Sequence, residues 1–217
     1  MFDISNGLKS IHNANFIHKD YHSGNIFISS SKVFEEGIAI TGDLGISKSA
    51  ITDDNDEIYG IIPYVAPEIF QGQKYTKASD IYSFGMIMWE LMTGRRPFWD
   101  QNHNTELIIE ICDGHRPPIV SNAPEGYIEL MQECWHSDPN KRPTALELSG
   151  KVSNICNNED KNKKNNPTKI LRSPEIGPIA KNNPGAIYKS RPLSTMIKSA
   201  ESTRSLKSQI IISKLGK

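Results

Sequence analysis

The chain has 217 residues, of which 37% are hydrophobic and 23% charged, so it is long enough for one folded domain with an appended segment. Its net charge of zero conceals an asymmetry. The part from Cys156 onward has 13 basic against 4 acidic residues, whereas the part before it has 12 against 21. The acidic part argues against a nucleic-acid-binding protein, and the basic part allows contact with acidic partners or lipid headgroups.

The three cysteines, Cys112, Cys134 and Cys156, show no paired spacing, which argues against a disulfide framework and for a reducing compartment. No apolar signal core stands among the first residues, and no apolar run approaches the ~18 residues of a membrane span. The composition therefore predicts an intracellular, cytoplasmic protein without a membrane span.

The first predicted element is a helix, because Ile4, Leu8 and Ile11 recur at helical spacing. A loop rich in Ser and Gly follows. Two short runs with many β-branched residues, 25–29 and 37–41, then predict a small β-hairpin. The polar, aperiodic stretch after the hairpin predicts a long functional loop.

Residues 80–93 are apolar on nearly every side and predict a buried central helix that ends at Gly94. Asp80 by itself is also a good residue to cap the start of that helix. Two or three further helices are predicted, the last with Pro143 in its first turn; their approximate ranges are 103–113, 124–136 and 143–155. From residue 156 to 217 the chain is rich in Ser, Lys and Asn, which predicts a disordered basic tail.

Three polar residues suit one particular chemistry. Asp20 and Asn25 lie on one loop, and Asp43 follows the predicted hairpin. Phosphoryl transfer needs a base near the acceptor hydroxyl and oxygen ligands that hold Mg²⁺ on the phosphates. One carboxylate, one amide and a second carboxylate across a hairpin supply those groups.

Five segments resemble motifs of eukaryotic protein kinases, in the order in which that family has them. They are the catalytic loop His18–Asn25 (HKDYHSGN), the metal motif Asp43–Gly45 (DLG), the end of the activation segment Ala66–Glu68 (APE), the start of the central helix Ser79–Gly85 (SDIYSFG), and the late arginine motif Cys134–Pro143 (CWHSDPNKRP). On these motifs, residues 1–155 are identified as a member of the family, closest to its tyrosine-kinase-like branch.

The resemblance implies the protein-kinase-like α+β fold. This chain would be its mainly helical C-terminal lobe, truncated in the middle of helix E, with a small β-hairpin. The implied activity transfers the γ-phosphoryl group of ATP to a Ser, Thr or Tyr hydroxyl of a protein substrate. Asp20 would be the base or hydroxyl-orienting group, Asn25 and Asp43 would bind Mg²⁺, and Phe27 would lie under the adenine ring.

The resemblance also assigns structural roles. His18 and Leu44 would pack on each other in the regulatory spine, and Asp80 would accept hydrogen bonds from the backbone of the catalytic loop. Glu68 and Arg142 would form a buried ion pair. The activation segment, Asp43 to Glu68, contains four candidate sites for phosphorylation by an upstream kinase, namely Ser47, Ser49, Thr52 and Tyr59.

The sequence departs from the family in two ways. It contains no glycine-rich phosphate loop and no Val-Ala-Ile-Lys strand, which predicts weak ATP binding by this chain alone. In addition, Lys19 stands in place of the usual Arg, and His22 and Ile61 replace residues typical of serine/threonine kinases. The choice between Ser/Thr and Tyr therefore stays open.

Other interpretations also stay open. The chain could be a non-catalytic, pseudokinase-like signalling scaffold, a truncated gene model of an active kinase, or an adaptor that acts through its basic tail. A zinc site at His18 and His22 is disfavoured, because Lys19 stands where the metalloprotease pattern needs Glu and because Ser23-Gly24 disfavours a helix.

Overall fold

The structure, a computed structural model, describes residues 1–29, 37–49, 57–119, 123–162 and 183–215, which form seven α-helices and six short β-strands. The helices are α1 (Phe2–Asn13), α2 (Pro67–Phe70), α3 (Lys77–Thr93), α4 (Thr105–Cys112), α5 (Tyr127–Cys134), α6 (Ala145–Asn162) and α7 (Ser194–Leu215). The strands are β1 (Phe16–Ile17), β2 (Ile26–Ser29), β3 (Ile38–Thr41), β4 (Lys48–Ser49), β5 (Tyr59–Gly60) and β6 (Arg191–Pro192). The predicted mainly helical architecture with a small hairpin is confirmed.

The strands form three separate antiparallel pairs, β1 with β4, β2 with β3, and β5 with β6. The β2–β3 pair is the predicted hairpin, with Ile26 opposite Thr41 and Ser29 opposite Ile38. The β5–β6 pair joins parts of the chain that are far apart in sequence, since Gly60 lies opposite Arg191. Both pairs lie beside the loop between β1 and β2.

Helix α3 forms the centre of the core. It is buried on nearly all sides, including the side chains of Phe84 and Trp89, and packs against α5. It begins at Lys77 rather than at Asp80, because Thr76 and Ser79 form a capping box in which the Thr76 N–H donates to Ser79 Oγ at 2.7 Å. Asp80 is thus inside the first turn and does not cap the helix.

Two other helices close the core from the opposite side. Helix α1 buries Ile4 and Leu8 and packs against α6. The start of α6 is capped by Thr144, whose backbone N–H donates to Glu147 Oε2 at 2.8 Å. Pro143 therefore precedes the helix, and its predicted place in the first turn is wrong.

The C-terminal part of the chain is folded where the structure describes it. Helix α6 continues through Asn162, and α7 packs against α4. Leu193, Ile197 and Ala200 are 0%, 4% and 3% exposed and belong to the buried core. The predicted disorder from residue 156 is thus wrong for these segments, because tertiary contacts bury their few aliphatic side chains. Residues 163–182 lie outside the described residues.

The three cysteines are not joined by disulfides. Within the described ranges, no helix combines the length and apolar character that crossing a membrane requires.

Candidate active site

Asp80 holds the backbone of the loop between β1 and β2. Its carboxylate accepts hydrogen bonds from the backbone N–H of His18 at 2.8 Å and of Lys19 at 3.0 Å, and it lies 2.8 Å from Nε2 of His12. Asp80 is 1% exposed, so water does not compete for these hydrogen bonds. They stabilise a loop in which Lys19 has φ 71°, a conformation that is unfavourable for a residue with a side chain.

Asn25 connects this loop to the hairpin. Its side-chain Nδ2 donates to the backbone O of Asp20 at 2.8 Å, and its backbone O accepts from the N–H of Gly42 at 2.9 Å. Asp43 follows Gly42 directly in the chain. The pairing of β2 with β3 therefore brings Asp20, Asn25 and Asp43 to the same end of the hairpin.

The half-buried side chain of Asp20 lies beside His22, with 3.5 Å between His22 Nε2 and Asp20 Oδ2. Because His22 Nδ1 accepts from the Gly24 N–H at 3.1 Å, Nε2 is the nitrogen that can donate to Asp20. Burial acts to raise the pKa of Asp20, but hydrogen bonds from the His22 and Ser190 side chains and the electrostatic attraction of His22 outweigh it, so this pKa is lowered. Asp20 is therefore ionised at neutral pH and can accept a hydrogen bond from a hydroxyl.

Asp43 and Leu44 lie on the exposed side of the site. Asp43 has φ 52°, and its Oδ1 accepts from the Gly45 N–H at 3.3 Å. His18 is fully buried with Nε2 3.1 Å from the backbone O of Gly42, and its Nδ1 has no hydrogen-bond partner among the described residues. Leu44 is 54% exposed and is not part of the buried core, so the structure does not bury it beside His18 as the sequence predicted.

The outer face of the hairpin is apolar and open. Phe27 is 55% exposed on β2, and its ring lies so close to Gly42 that a Cβ there would come within 2.7 Å. Ile40, directly opposite Phe27, and Ile38 are exposed on the same face, at 49% and 39%. This face offers apolar contact to a flat ring or to another protein surface.

The oxygen donors at the end of the hairpin fit a magnesium ion. The amide of Asn25 and the carboxylate of Asp43 provide the hard oxygen ligands that Mg²⁺ prefers, and Mg²⁺ usually completes its shell with phosphate and water. Within the described ranges, no three His, Cys, Asp or Glu side chains gather into a metal cluster. The site therefore fits an ion that arrives with phosphates better than one held by protein ligands alone.

The candidate phosphorylation sites lie in different settings. Ser47 Oγ donates to the backbone O of Leu44 at 2.6 Å, and Ser49 lies in β4. Tyr59 is 37% exposed in β5, directly beside the catalytic loop. Thr52 lies outside the described residues.

Glu68 and Arg142 are joined by two hydrogen bonds of 2.7 Å, from Nη1 to Oε1 and from Nη2 to Oε2. Both residues are buried. Arg142 also donates to the backbone O of His136 at 2.8 Å and of Ala78 at 2.9 Å. The pair therefore ties α2 to the start of α3 and to the segment before α6.

Two residues that shape the site belong to none of the motifs that the sequence analysis identified. Glu90, on α3, accepts hydrogen bonds from Ser23 Oγ at 3.0 Å and from the Tyr64 hydroxyl at 2.6 Å, so it fixes the catalytic loop against the activation segment. Its one available signal was a charge within an otherwise apolar helix. Ser190 reaches Asp20 from the C-terminal segment, and no local pattern marks that contact.

Comparison with known proteins agrees with these motifs. The family described as "Protein tyrosine and serine/threonine kinase" matches residues 1–152. The chain is 33% identical over 162 residues to Ephrin type-A receptor 7 of Gallus gallus, covering 71% of this chain and 16% of the receptor. It is 33% identical over 160 residues to a protein of Dictyostelium discoideum described as a probable serine/threonine-protein kinase, covering 72% of this chain and 9% of that protein. The chain thus spans less than a fifth of the length of these relatives.

Proposed function

Because the chain belongs to the protein tyrosine and serine/threonine kinase family, we propose that it carries the acceptor side of a phosphoryl-transfer site. In this proposal Asp20 is the base or orienting group for a protein hydroxyl, and Asn25 and Asp43 hold Mg²⁺ on the phosphates of ATP. The observation that carries it is the hydrogen bond from Asn25 to Asp20, at the end of the hairpin where Asp43 also lies. Phe27 would lie against the adenine ring.

Each residue has a chemical task in this proposal. Asn25 and Asp43 would hold Mg²⁺, which would supply positive charge to neutralise the negative charge that develops on the phosphates during transfer. Asp20, ionised because its pKa is lowered, accepts the hydrogen bond of the acceptor hydroxyl and fixes the direction of its lone pairs. Asp80 keeps the backbone around Asp20 in place without touching the reactants. The acceptor is the hydroxyl of a Ser, Thr or Tyr residue of a protein substrate.

Phosphorylation of the activation segment by an upstream kinase forms part of the proposal. A phosphate on Ser47, Ser49 or Tyr59 would add negative charge close to the catalytic loop, where Lys19 supplies a cation. Lys19 belongs to this loop, and its ammonium lies 5.8 Å from the ring centre of Tyr75.

The test uses the full chain, with and without Mg·ATP and a mixture of acceptor peptides. We expect Asp20→Asn to lower the rate of labelled phosphate transfer by roughly 10²–10⁴-fold. The control Asp113→Asn alters an exposed carboxylate at the end of α4, paired with Arg204, and should leave the rate unchanged. A stabilising thermal shift with Mg·ATP that Asp43→Asn abolishes would report binding independently of turnover. An unchanged rate in Asp20→Asn would refute its role.

A non-catalytic scaffold is the second candidate, and the exposed apolar face of the hairpin favours it. Phe27, Ile38 and Ile40 present apolar side chains to solvent on one face of the hairpin, as binding surfaces do. Neither phosphate transfer nor a thermal shift with Mg·ATP would then be found. A binding partner lost on Ile40→Asp would support the scaffold.

A further inference from the structure

The C-terminal segment crosses the front of the catalytic loop as an extended strand. Its strand β6 pairs with β5 in the activation segment, so that Pro192 lies opposite Tyr59 and Arg191 opposite Gly60. One residue further on, the N–H of Leu193 donates to the backbone O of Ile58 at 2.8 Å. Residues 187–193, hereafter the crossing segment, therefore bind to the activation segment by main-chain hydrogen bonds. Such hydrogen bonds can form with extended peptides of many different sequences.

This arrangement brings the Ser190 hydroxyl to Asp20. The Ser190 side chain is among the hydrogen-bonding groups that lower the pKa of Asp20 against the opposing effect of burial. The backbone geometry supports this proximity, since Gly60 pairs with Arg191, the neighbour of Ser190, and a Cβ on Gly60 would lie 3.9 Å from Asp20 Oδ1 and 3.9 Å from Leu193 Cδ1. A hydroxyl held at this carboxylate occupies the position that a hydroxyl about to accept a phosphoryl group requires.

The residues before Ser190 contact the loop that precedes α4. The Tyr188 hydroxyl donates to the backbone O of Pro97 at 2.8 Å, and the Arg96 guanidinium lies 4.9 Å from the centre of its ring. The imidazole of His103 packs edge-on against the same ring at 4.8 Å, and its Nδ1 lies 2.9 Å from the backbone O of Ile187. An aromatic residue two positions before the hydroxyl thus has a defined place.

The side chains after Ser190 also have defined contacts. Arg191 donates to the backbone O of His103 at 2.7 Å, and Leu193 is fully buried at the start of α7. The crossing segment also comes from the basic part of the chain and lies on the acidic part, a charge complementarity that favours association.

We propose that the crossing segment is an intramolecular ligand that occupies the groove between the catalytic loop, β5 and the loop before α4, and that Ser190 stands in the acceptor position. The ligand class is an extended peptide with an aromatic residue two positions before a hydroxyl residue and an aliphatic residue three positions after it. The identification of the place of Ser190 as the acceptor position rests on the proposed function of Asp20. While the segment is bound, a protein substrate cannot reach Asp20, so substrates must displace it.

The experiment uses the full chain and a labelled peptide with the sequence of residues 185–199. Ser190→Asp places a second carboxylate at Asp20 without altering a core residue, and Thr195→Asp is the matched control at an exposed position. We expect Ser190→Asp to bind the labelled peptide at least tenfold more tightly than the wild type. We also expect its backbone amides at 58–60, Arg191 and Leu193 to exchange at least tenfold faster. Thr195→Asp should match the wild type in both measurements.

A double variant separates acceptor-site docking from packing alone. Adding Asp20→Asn to Ser190→Asp removes the like-charge repulsion and should restore wild-type exchange and peptide affinity. If Ser190→Asp behaves like Thr195→Asp, or if Asp20→Asn does not reverse its effect, Ser190 is not held at Asp20 and the proposal is wrong. These readouts need no ATP, so they stand even if the chain transfers no phosphate, whereas failure of the proposed function shows in the transfer assay.

Discussion

Arg142 and Glu68 illustrate how single residues hold this lobe together. Two parallel hydrogen bonds join the guanidinium and the carboxylate, which are both buried, and three backbone carbonyl groups accept the remaining donors of Arg142. A buried pair of this kind adds little net stability relative to apolar residues, but removing one partner leaves an uncompensated charge.

We therefore expect Glu68→Gln to lower the free energy of unfolding by about 3–5 kcal/mol, measured by urea denaturation. Glu133→Gln is the matched control, because Glu133 pairs with Lys151 where the two side chains are 42% and 48% exposed. An exposed pair contributes about 0–1 kcal/mol. Equal losses in the two variants would show that the Glu68 pair is not desolvated as the structure has it.

At the scale of elements, the contact between α3 and α5 depends on one residue without a side chain. A Cβ added to Gly85 would lie 3.0 Å from Cys134 Cβ and 3.3 Å from the backbone O of Met131. These atoms belong to a helix backbone and its first side-chain carbon, so they cannot move aside without moving α5.

Gly85→Ala should thus destabilise the protein by about 1–3 kcal/mol through overpacking. Gly150→Ala in α6 is the matched control, because nothing lies within 4 Å of its added Cβ. That substitution should stabilise by about 0.5–1 kcal/mol through helix propensity. Thermal denaturation followed by circular dichroism measures both, and a stabilised Gly85→Ala would contradict the close approach of α3 and α5.

At the scale of the whole molecule, the C-terminal segment is part of the same core as the helices around α3. Leu193 and Ile197 are buried, and α7 packs against α4. Arg204 on α7 also pairs with Asp113 at the end of α4. The segment that crosses the active site is thereby connected to the stability of the lobe.

Leu193→Ala should lower the free energy of unfolding by about 2–5 kcal/mol in a single urea transition, because a cavity forms in the shared core. Leu146→Ala, at a side chain that is 67% exposed, should change it by no more than about 0.5 kcal/mol. A separate early transition affecting only residues 183–215 would show instead that this segment folds independently of the core.

The sequence by itself determined the elements whose side-chain period is local. The stripe of Ile4 and Leu8 corresponds to α1, and the apolar helix that ends at Gly94 corresponds to α3. The alternating runs of the predicted hairpin correspond to β2 and β3. Motif spacing was sufficient to identify the family, which the comparison confirms. Helix starts were less accurate, as at Thr76 and Thr144, because a capping box depends on side-chain hydrogen bonds more than on apolar period.

Only the tertiary structure determined that the C-terminal segment is folded and partly buried. Leu193, Ile197 and Ala200 are spaced by four and three, which in retrospect fits one helix face. So short a stripe among polar residues cannot offset the entropy of ordering the segment unless a complementary surface is already present. That surface is built by β5 and α4, far away in the sequence, and it also determines that Ser190 lies at Asp20. Local pattern carries no information about such a surface, because its burial arises only when distant parts of the chain meet.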